Sequence, residues 1–292
     1  MPELPEVEVL VRHLRERLVG QRIREVDVFR TRTIRPTDPE ALRVALIGAR
    51  FVSLERRGKF MLFTWKHPRK PAKLKDSTVL LVGHLGMTGR MFVTASDAPL
   101  PRHVPVRLQF DGAQMIFEDP RYFGRLTLDA SALENLGPEP WDPGFNGHYL
   151  KQALKRCVQP IKVKLLDQSL VTGVGNIYAS EALFRARISP RLPAKRLKED
   201  QLERLTLTIR EVLEEAIRFG STLALDFAGE GSKDGLFYYG SSPDPARRAT
   251  YEERLQVYDR EGRACYQCQE PIRRVVQAAR STFYCPQCQP AR

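Results

Sequence analysis

The sequence predicts an α+β chain, on three observations. A helical repeat of apolar residues lies next to the amino terminus, short period-two segments follow from Gly20 to Glu118, and a helical second half ends in two close pairs of cysteines. The expected order is a leading helix, a mainly β domain, a helical domain and a small metal-held hairpin. A length of 292 residues suits one to three domains, and 42% hydrophobic residues suffice for a packed core. Lys and Arg number 47 against 35 Asp and Glu, a net charge of +12 that favours a polyanionic partner, nucleic acid first. No apolar run approaches the ~18–20 residues of a membrane span, and Glu3, Glu6 and Glu8 stand where a signal peptide would be basic and then apolar. Membrane insertion and secretion are therefore not expected.

From Pro5 to Val19 the residues Val7, Leu10, Val11, Leu14 and Leu18 keep helical spacing, with Gly20 just beyond. Glutamates early and Arg12, Arg15 and Arg17 later complement the helix dipole. Period-two runs follow at Ile23–Val28, Phe51–Arg56, Phe60–Trp65, Thr78–Val82, Val106–Phe110 and Met115–Glu118, which suggests a sandwich or a barrel. Asp111-Gly112 reads as a hairpin turn, while Gly58 and the Pro/Lys-rich stretch from His67 to Lys75 mark other connections. Gly137, Pro138, Pro140, Pro143 and Gly144 crowd an inter-domain linker, so the expected divisions are 1–133, a linker at 134–149, 150–250 and 251–292. Beyond the linker Glu199–Phe219 is the clearest helix, with Leu202, Leu205, Ile209, Val212, Leu213 and Ala216 in one stripe. Residues 151–220 hold 14 Lys and Arg against 8 Asp and Glu, a large share of the positive field. The Gly/Ser/Asp/Pro-rich Gly220–Thr250 stretch reads as a long loop.

Five cysteines are an odd number for a disulfide framework. Cys265 and Cys268, then Cys285 and Cys288 after sixteen intervening residues, have the spacing of a tetrahedral zinc site. Four sulfurs leave no open coordination position, so one structural Zn2+ is expected, holding a hairpin too small to fold alone. The finger carries Arg273, Arg274, Arg280 and Arg292 against a single acid, Glu270, which fits a hairpin laid against phosphates. Cys157 stands alone and reads as a small packing residue.

The segment Leu170–Glu181 reads as a helix ending before Gly173, two glycine turns, and a second helix that Asn176 caps. Such a connection either exposes backbone N–H groups to a phosphate, with Lys162 and Lys164 adding charge, or is merely structural.

The opening Met1-Pro2-Glu3-Leu4-Pro5-Glu6-Val7-Glu8, the Leu170–Glu181 segment and the four-cysteine finger, in that order over essentially the whole chain, resemble the bacterial formamidopyrimidine-DNA glycosylase family. The resemblance implies an N-terminal β-sandwich, a helix-two-turns-helix domain, a four-cysteine zinc finger and duplex DNA with oxidised bases or abasic sites as partner. It also implies release of oxidised purines such as 8-oxoguanine and formamidopyrimidines, followed by β,δ-elimination through a Schiff base. The expected location is the bacterial cytoplasm, at the nucleoid, as a monomer without an obligate protein partner.

If Met1 is removed, Pro2 presents a secondary amine with an ordinary α-amino pKa of about 7.7–8, so part of it is free base near neutrality. Attack on C1′ displaces the damaged base and leaves an iminium that acidifies the C2′ proton. By resemblance Glu3 is the general acid/base, Glu6 a second carboxylate that holds the geometry, and Lys59 a hairpin lysine reaching the lesion or its phosphate. A glutamate in a first turn is otherwise a dipole partner, and a lysine beside Gly58 otherwise solvated. Flipping a base out requires fillers for the gap. By resemblance Met87 in His84–Gly89 and Arg121 in Asp119–Gly124 fill it, Arg121 faces the orphaned cytosine and Phe123 wedges between bases. His84, Lys162, Asn176 and Arg280 complete the implied DNA contacts, Arg280 also supporting elimination.

Three features depart from the family pattern. Tyr122 replaces a second basic residue after Arg121, Ser221 and Leu225 replace glycine and lysine in the segment that closes over the flipped base, and the Tyr238–Arg254 stretch is longer. They fall where base identity is read. Two other readings use the same features: an endonuclease VIII-like enzyme for oxidised pyrimidines, and a non-catalytic zinc protein that binds damaged DNA without using Pro2.

Overall fold

The computed structural model describes residues 2–69, 76–220 and 254–290. Ser221, Leu225, Arg292, all of Tyr238–Arg254 but Arg254, and the basic stretch 70–75 lie outside the described residues. The chain forms two compact units, one containing Pro2 and Glu6–Glu134, the other Glu3–Pro5 together with residues 135–220 and 254–290. No helix of the described residues is long and apolar enough to cross a membrane.

Helix α1 (Leu4–Leu18) follows the apolar spacing of the sequence, and Val7, Leu10, Val11, Leu14 and Leu18 are all buried. It stops where Gly20 takes a left-handed φ of +78°, a conformation that costs glycine little. The first unit then builds two antiparallel sheets. One contains β2 (Arg50–Arg57), β3 (Phe60–Lys66), β4 (Thr78–His84) and β8 (Arg125–Thr127) in that order. The other orders β1 (Glu25–Val28), β6 (Val106–Gln109), β7 (Ala113–Glu118) and β5 (Arg90–Ala95). Alternation supplies the core: Met61, Phe63 and Trp65 of β3 join Met91, Val93, Leu108, Met115 and Phe117 of the second sheet in one buried cluster. Of the sandwich and barrel that the strands alone allowed, the chain makes the sandwich. The Asp111-Gly112 turn joins β6 to β7 as expected, with Gly112 at φ +74°.

Four elements were not anticipated. Strand β5 hid behind a glycine-rich loop, and β8 is too short, at 3 residues, to show a period. Helix α2 (Thr31–Ile34) is a single turn. Helix α3 (Pro39–Leu46) carries a legible start, since Asp38 accepts from the N–H groups of Glu40 at 2.9 Å and Ala41 at 3.2 Å with Pro39 following.

The second unit packs α4 (Gly147–Leu154), α5 (Ile161–Leu165), α6 (Asn176–Arg185) and α7 (Glu199–Arg218) around Leu150, Leu165, Val171, Tyr178 and the expected α7 stripe, all buried. The helix preceding the glycine turns ends at Leu165, earlier than the sequence suggested, because Asp167 and Gln168 take over the backbone N–H groups of Ser169 and Gly173. Strands β9 (Arg273–Gln277) and β10 (Arg280–Tyr284) form the terminal hairpin, and its tip puts Ala278 and Ala279 at φ +47° and +58°. Cys157 is half-buried against the core of this unit.

Candidate functional site

In the first unit, register brings three predicted loops to one end of the sandwich. Arg57 pairs with Phe60 around Gly58 and Lys59, Phe60 pairs with His84, and His84 pairs with Arg125. Arg90 pairs with Glu118, so the His84–Gly89 and Asp119–Gly124 loops both pass from one sheet to the other. Lys59 is only 8% exposed, which excludes the solvated reading of a lysine beside Gly58. Met87 and Phe123, by contrast, are 41% and 42% exposed despite being large and apolar, and the Arg121 guanidinium lies 4.8 Å from the Phe123 ring. Two exposed apolar tips on loops braced against each other suit insertion into another molecule.

The brace is Asp119, which the sequence reading did not single out. Its buried carboxylate accepts from Thr88 Oγ1 at 2.6 Å, from the Arg121 N–H at 3.2 Å and from the Gly124 N–H at 2.7 Å, tying the Met87 loop to the Arg121 loop. The glycines are required by close approach: a Cβ on Gly89 would sit 2.3 Å from the Leu85 carbonyl oxygen and one on Gly86 2.7 Å from the Gly124 nitrogen. Tyr122 sits at φ +53°, with the Arg30 guanidinium 5.4 Å from its ring. Burial, with the fields of Lys59 and Arg125, pushes the His84 imidazole down to about 4, so it is neutral at pH 7 and its Nδ1 accepts the Gly86 N–H at 3.0 Å.

In the second unit the residue next to Pro2 is fixed by the glycine turns. The buried Glu3 carboxylate accepts the N–H groups of Ile177 at 2.9 Å and Tyr178 at 3.4 Å, the first turn of α6. The Leu4 N–H donates to the Gly173 carbonyl at 3.1 Å. Two expectations are thereby corrected. Asn176 does not cap α6, because Glu3 occupies that role, and the same N–H groups are not open to a phosphate. Gly173 and Gly175 instead make room for the amino-terminal segment, since added Cβ atoms would lie 2.4 Å from Leu4 Cδ1 and 2.3 Å from Glu3 Cδ.

Asn176 is freed for another task. Its Oδ1 accepts from Lys162 Nζ at 2.6 Å and its Nδ2 donates to the Ser281 carbonyl at 3.0 Å, joining α5, α6 and β10. Lys162 is 1% exposed and also reaches Thr282 Oγ1 at 3.3 Å. Burial lowers its ammonium to about 8, with Glu3 opposing that shift and Arg280 adding to it. Lys164 adds no free charge here, because it pairs with Asp167 at 2.7 Å. Arg280 opens β10 and is exposed.

Sequence reasoning also missed Glu181, fully buried on α6, which accepts the N–H groups of Gln256, Val257 and Tyr258 at 2.8, 2.9 and 2.8 Å. Tyr258 then packs its ring 5.1 Å from Phe283. Lys155, Arg156, Arg191, Lys195, Arg196 and Lys198 are all exposed, on two stretches joined where the Ala194 and Lys195 N–H groups donate to the Gln159 and Cys157 carbonyls. Their signal was the charge of residues 151–220, which does not say which of these cations are exposed.

The four finger sulfurs lie within 4.8 Å of one another, with Sγ···Sγ separations of 3.4, 3.5 and 3.9 Å for three of the pairs. A tetrahedron with Zn–S bonds of about 2.3 Å spaces its sulfurs at about 3.8 Å, so the group fits one zinc with every position filled by protein. N–H groups of Gln267 and Cys288 point at the Cys265 and Cys285 sulfurs, both at 3.4 Å, as thiolates require.

Residues 1–126 match the model of the formamidopyrimidine-DNA glycosylase N-terminal domain, 136–226 that of the H2TH domain of the same enzymes, and 262–291 a zinc finger found in FPG and IleRS. A formamidopyrimidine-DNA glycosylase of Symbiobacterium thermophilum is 41% identical over 99% of this chain and 90% of its own length. Among solved structures, a Lactococcus lactis FPG mutant bound to Fapy-dG-containing DNA superposes with TM-score 0.82 at 30% identity, covering 99% of this chain and 100% of that one. The Lactococcus lactis Fpg with DNA containing an abasic site gives 0.81 at 29%, covering 99% of both chains.

Proposed function

The chain belongs to the formamidopyrimidine-DNA glycosylase family, and from that premise we propose that it excises oxidised purines from duplex DNA and cleaves the resulting abasic site through an iminium on Pro2. The observation that carries the reading is Glu3, a buried carboxylate held by the Ile177 and Tyr178 N–H groups and covalently next to the Pro2 nitrogen. A carboxylate fixed at that place has one function in this chemistry, to move protons for its neighbour.

Once Met1 is removed, the Pro2 nitrogen attacks C1′ and the C1′–N bond breaks, its electrons leaving with the base. Glu3 assists opening of the sugar ring and later accepts or returns protons. The C1′ iminium acidifies C2′, loss of that proton expels the 3′ phosphate, and δ-elimination releases the 5′ phosphate. Glu6 keeps its part as a second carboxylate near the amino terminus. Lys59 is buried at the hairpin turn, as a cation aimed at a lesion or its phosphate would be, rather than spread in solvent. Met87, Arg121 and Phe123 fill and wedge the gap of the flipped nucleotide, with neutral His84 shaping the loop beneath them. Arg280 takes backbone phosphate and supports elimination, and Lys162 and Asn176 hold the hairpin that presents it through their bonds to Thr282 and Ser281. One zinc holds the finger that carries Arg280 and takes no part in the chemistry. The enzyme acts in the bacterial cytoplasm, on nucleoid DNA.

The test is borohydride trapping on duplex DNA carrying 8-oxoguanine opposite cytosine, with an abasic duplex alongside and mass analysis of the trapped terminus. A crosslink at Pro2 on both duplexes is expected. A crosslink on the abasic duplex alone keeps the lyase and moves base preference to another lesion, oxidised pyrimidines first. No crosslink on either, from a correctly processed terminus, sinks the enzymatic reading.

A further inference from the structure

The far end of the first unit carries a row of like charges that the catalytic reading does not use. Arg50 lies directly opposite Lys66 in the β2–β3 ladder, and Arg22 bridges to Arg50 on its other side. Directly opposed residues share a face and neighbouring strands lie about 4.8 Å apart, so three cations stand side by side across roughly 10 Å. Their neighbours in sequence, Phe51 and Trp65, pack with the core, so the row faces away from it. Like charges in direct opposition destabilise a ladder. Neither the Arg50 nor the Lys66 side chain has a hydrogen bond or ion pair among the described residues, and both are exposed, as is Arg69 beyond them. Arg22 is anchored by its Nε donating to the Gly48 carbonyl at 3.1 Å. One acid in the field of Arg22 and Arg50, Asp111, is already held in two bonds by Arg24 at 2.8 and 2.7 Å.

We infer that Arg22, Arg50 and Lys66 form a second contact surface for the phosphodiester backbone of DNA, separate from the candidate site. Strand β2 has 8 residues and carries Arg50 at one end and Arg57, next to the Lys59 turn, at the other. The two ends are roughly 23 Å apart at strand rise, so one short duplex engaged by the Lys59, Met87 and Arg121 loops leaves the row open to another DNA segment. A row of unshared cations without a pocket reads charge and not sequence, which suits undamaged DNA held while the other site samples bases. The inference rests on the reading of the chain as a DNA-repair enzyme.

The test preloads the zinc-loaded full chain on a short duplex bearing a stable abasic-site analogue. A second, undamaged duplex with a different fluorophore is then titrated in, and anisotropy is followed in each colour. Wild type is expected to bind both. Arg50→Glu/Lys66→Glu is expected to weaken the second duplex by about tenfold or more and to lower its logarithmic salt slope by about two, with binding of the first duplex and excision from a separate 8-oxoguanine duplex unchanged. Arg50→Gln/Lys66→Gln, a milder change at the same exposed positions, should give an intermediate loss. A second duplex bound equally by wild type and both variants overturns the inference. So does a preloaded wild type that ignores the duplex, including one that binds an acidic peptide instead. Failure of the functional reading shows separately, as absent excision from the 8-oxoguanine duplex.

Discussion

Glu3 shows how much a single residue depends on its surroundings. The opening motif proposes it as a catalytic carboxylate, but its position follows from Gly175, which leaves space that any side chain would fill. Gly175→Ala puts a Cβ 2.3 Å from Glu3 Cδ, so the carboxylate has to leave the α6 N–H groups. Trapping is expected to fall on the order of 100-fold, in line with the cost of displacing a reacting group by about 1 Å, while DNA affinity stays near wild type. Unchanged trapping in single-turnover assays would separate Glu3 from the chemistry. Lys162 gives a pH signature of two opposite signs. Its ammonium is lowered to about 8, so it loses charge in the folded protein as pH rises through that value, whereas the unfolded chain still binds the proton. Between about 8 and 10.5 this group therefore adds stability with rising pH, while DNA affinity at fixed salt declines from pH 7 to 9. Lys162→Met should flatten both trends, and parallel slopes in wild type and variant would exclude the assignment.

At the scale of elements, α6 acts as a hub. Its first turn holds Glu3, Asn176 reaches Lys162 and β10, and Glu181 gathers three backbone N–H groups of the segment that leads into the finger. Burial pushes the Glu181 carboxyl up, against the hydrogen bonds of Gln256, Tyr258 and Val257 that pull it down. Glu181→Ala leaves the buried Val257 N–H and the half-buried Gln256 and Tyr258 N–H groups without this acceptor, so a loss of about 1–3 kcal/mol is expected in urea denaturation. Amide exchange at residues 256–258 should rise in the same variant, and protection as in wild type would argue against the hub. The hairpin tip presents the reverse case. Ala278 and Ala279 both take left-handed φ without being glycine, and Ala279→Gly should raise finger stability by about 1 kcal/mol, read as resistance to zinc loss. Faster loss than in wild type would mean that the tip stores no strain.

Across the whole molecule, charge and metal set the behaviour. A net +12 with Lys155, Arg156, Arg191, Lys195, Arg196 and Lys198 all exposed predicts DNA affinity that falls steeply with salt. Removing zinc should unfold the finger and weaken DNA binding, because Cys265 and Cys285 are buried in a small cluster with Val257, Ile272 and Phe283 that the metal crosslinks. The helices around α7 have their own core and should keep their circular dichroism. A stripped protein with full affinity would detach Arg280 from DNA recognition.

The sequence by itself determined the leading helix, the α7 stripe, most strands of the sandwich and the zinc ligands, because each is a local pattern: a period, a turn dipeptide or a spacing. It named Pro2 and Glu3 through a motif. The tertiary structure alone decided which groups meet. Glu3 and Ile177 are 174 residues apart, Asp119 and Thr88 are 31, and Lys162 and Thr282 are 120. No local pattern encodes such pairs, so the sequence marks neither Asp119 nor Glu181, and for Asn176 it suggests a capping role that Glu3 holds. Those pairings follow from packing, which brings distant polar groups out of water and leaves each buried carboxylate to find its donors wherever the fold has placed them.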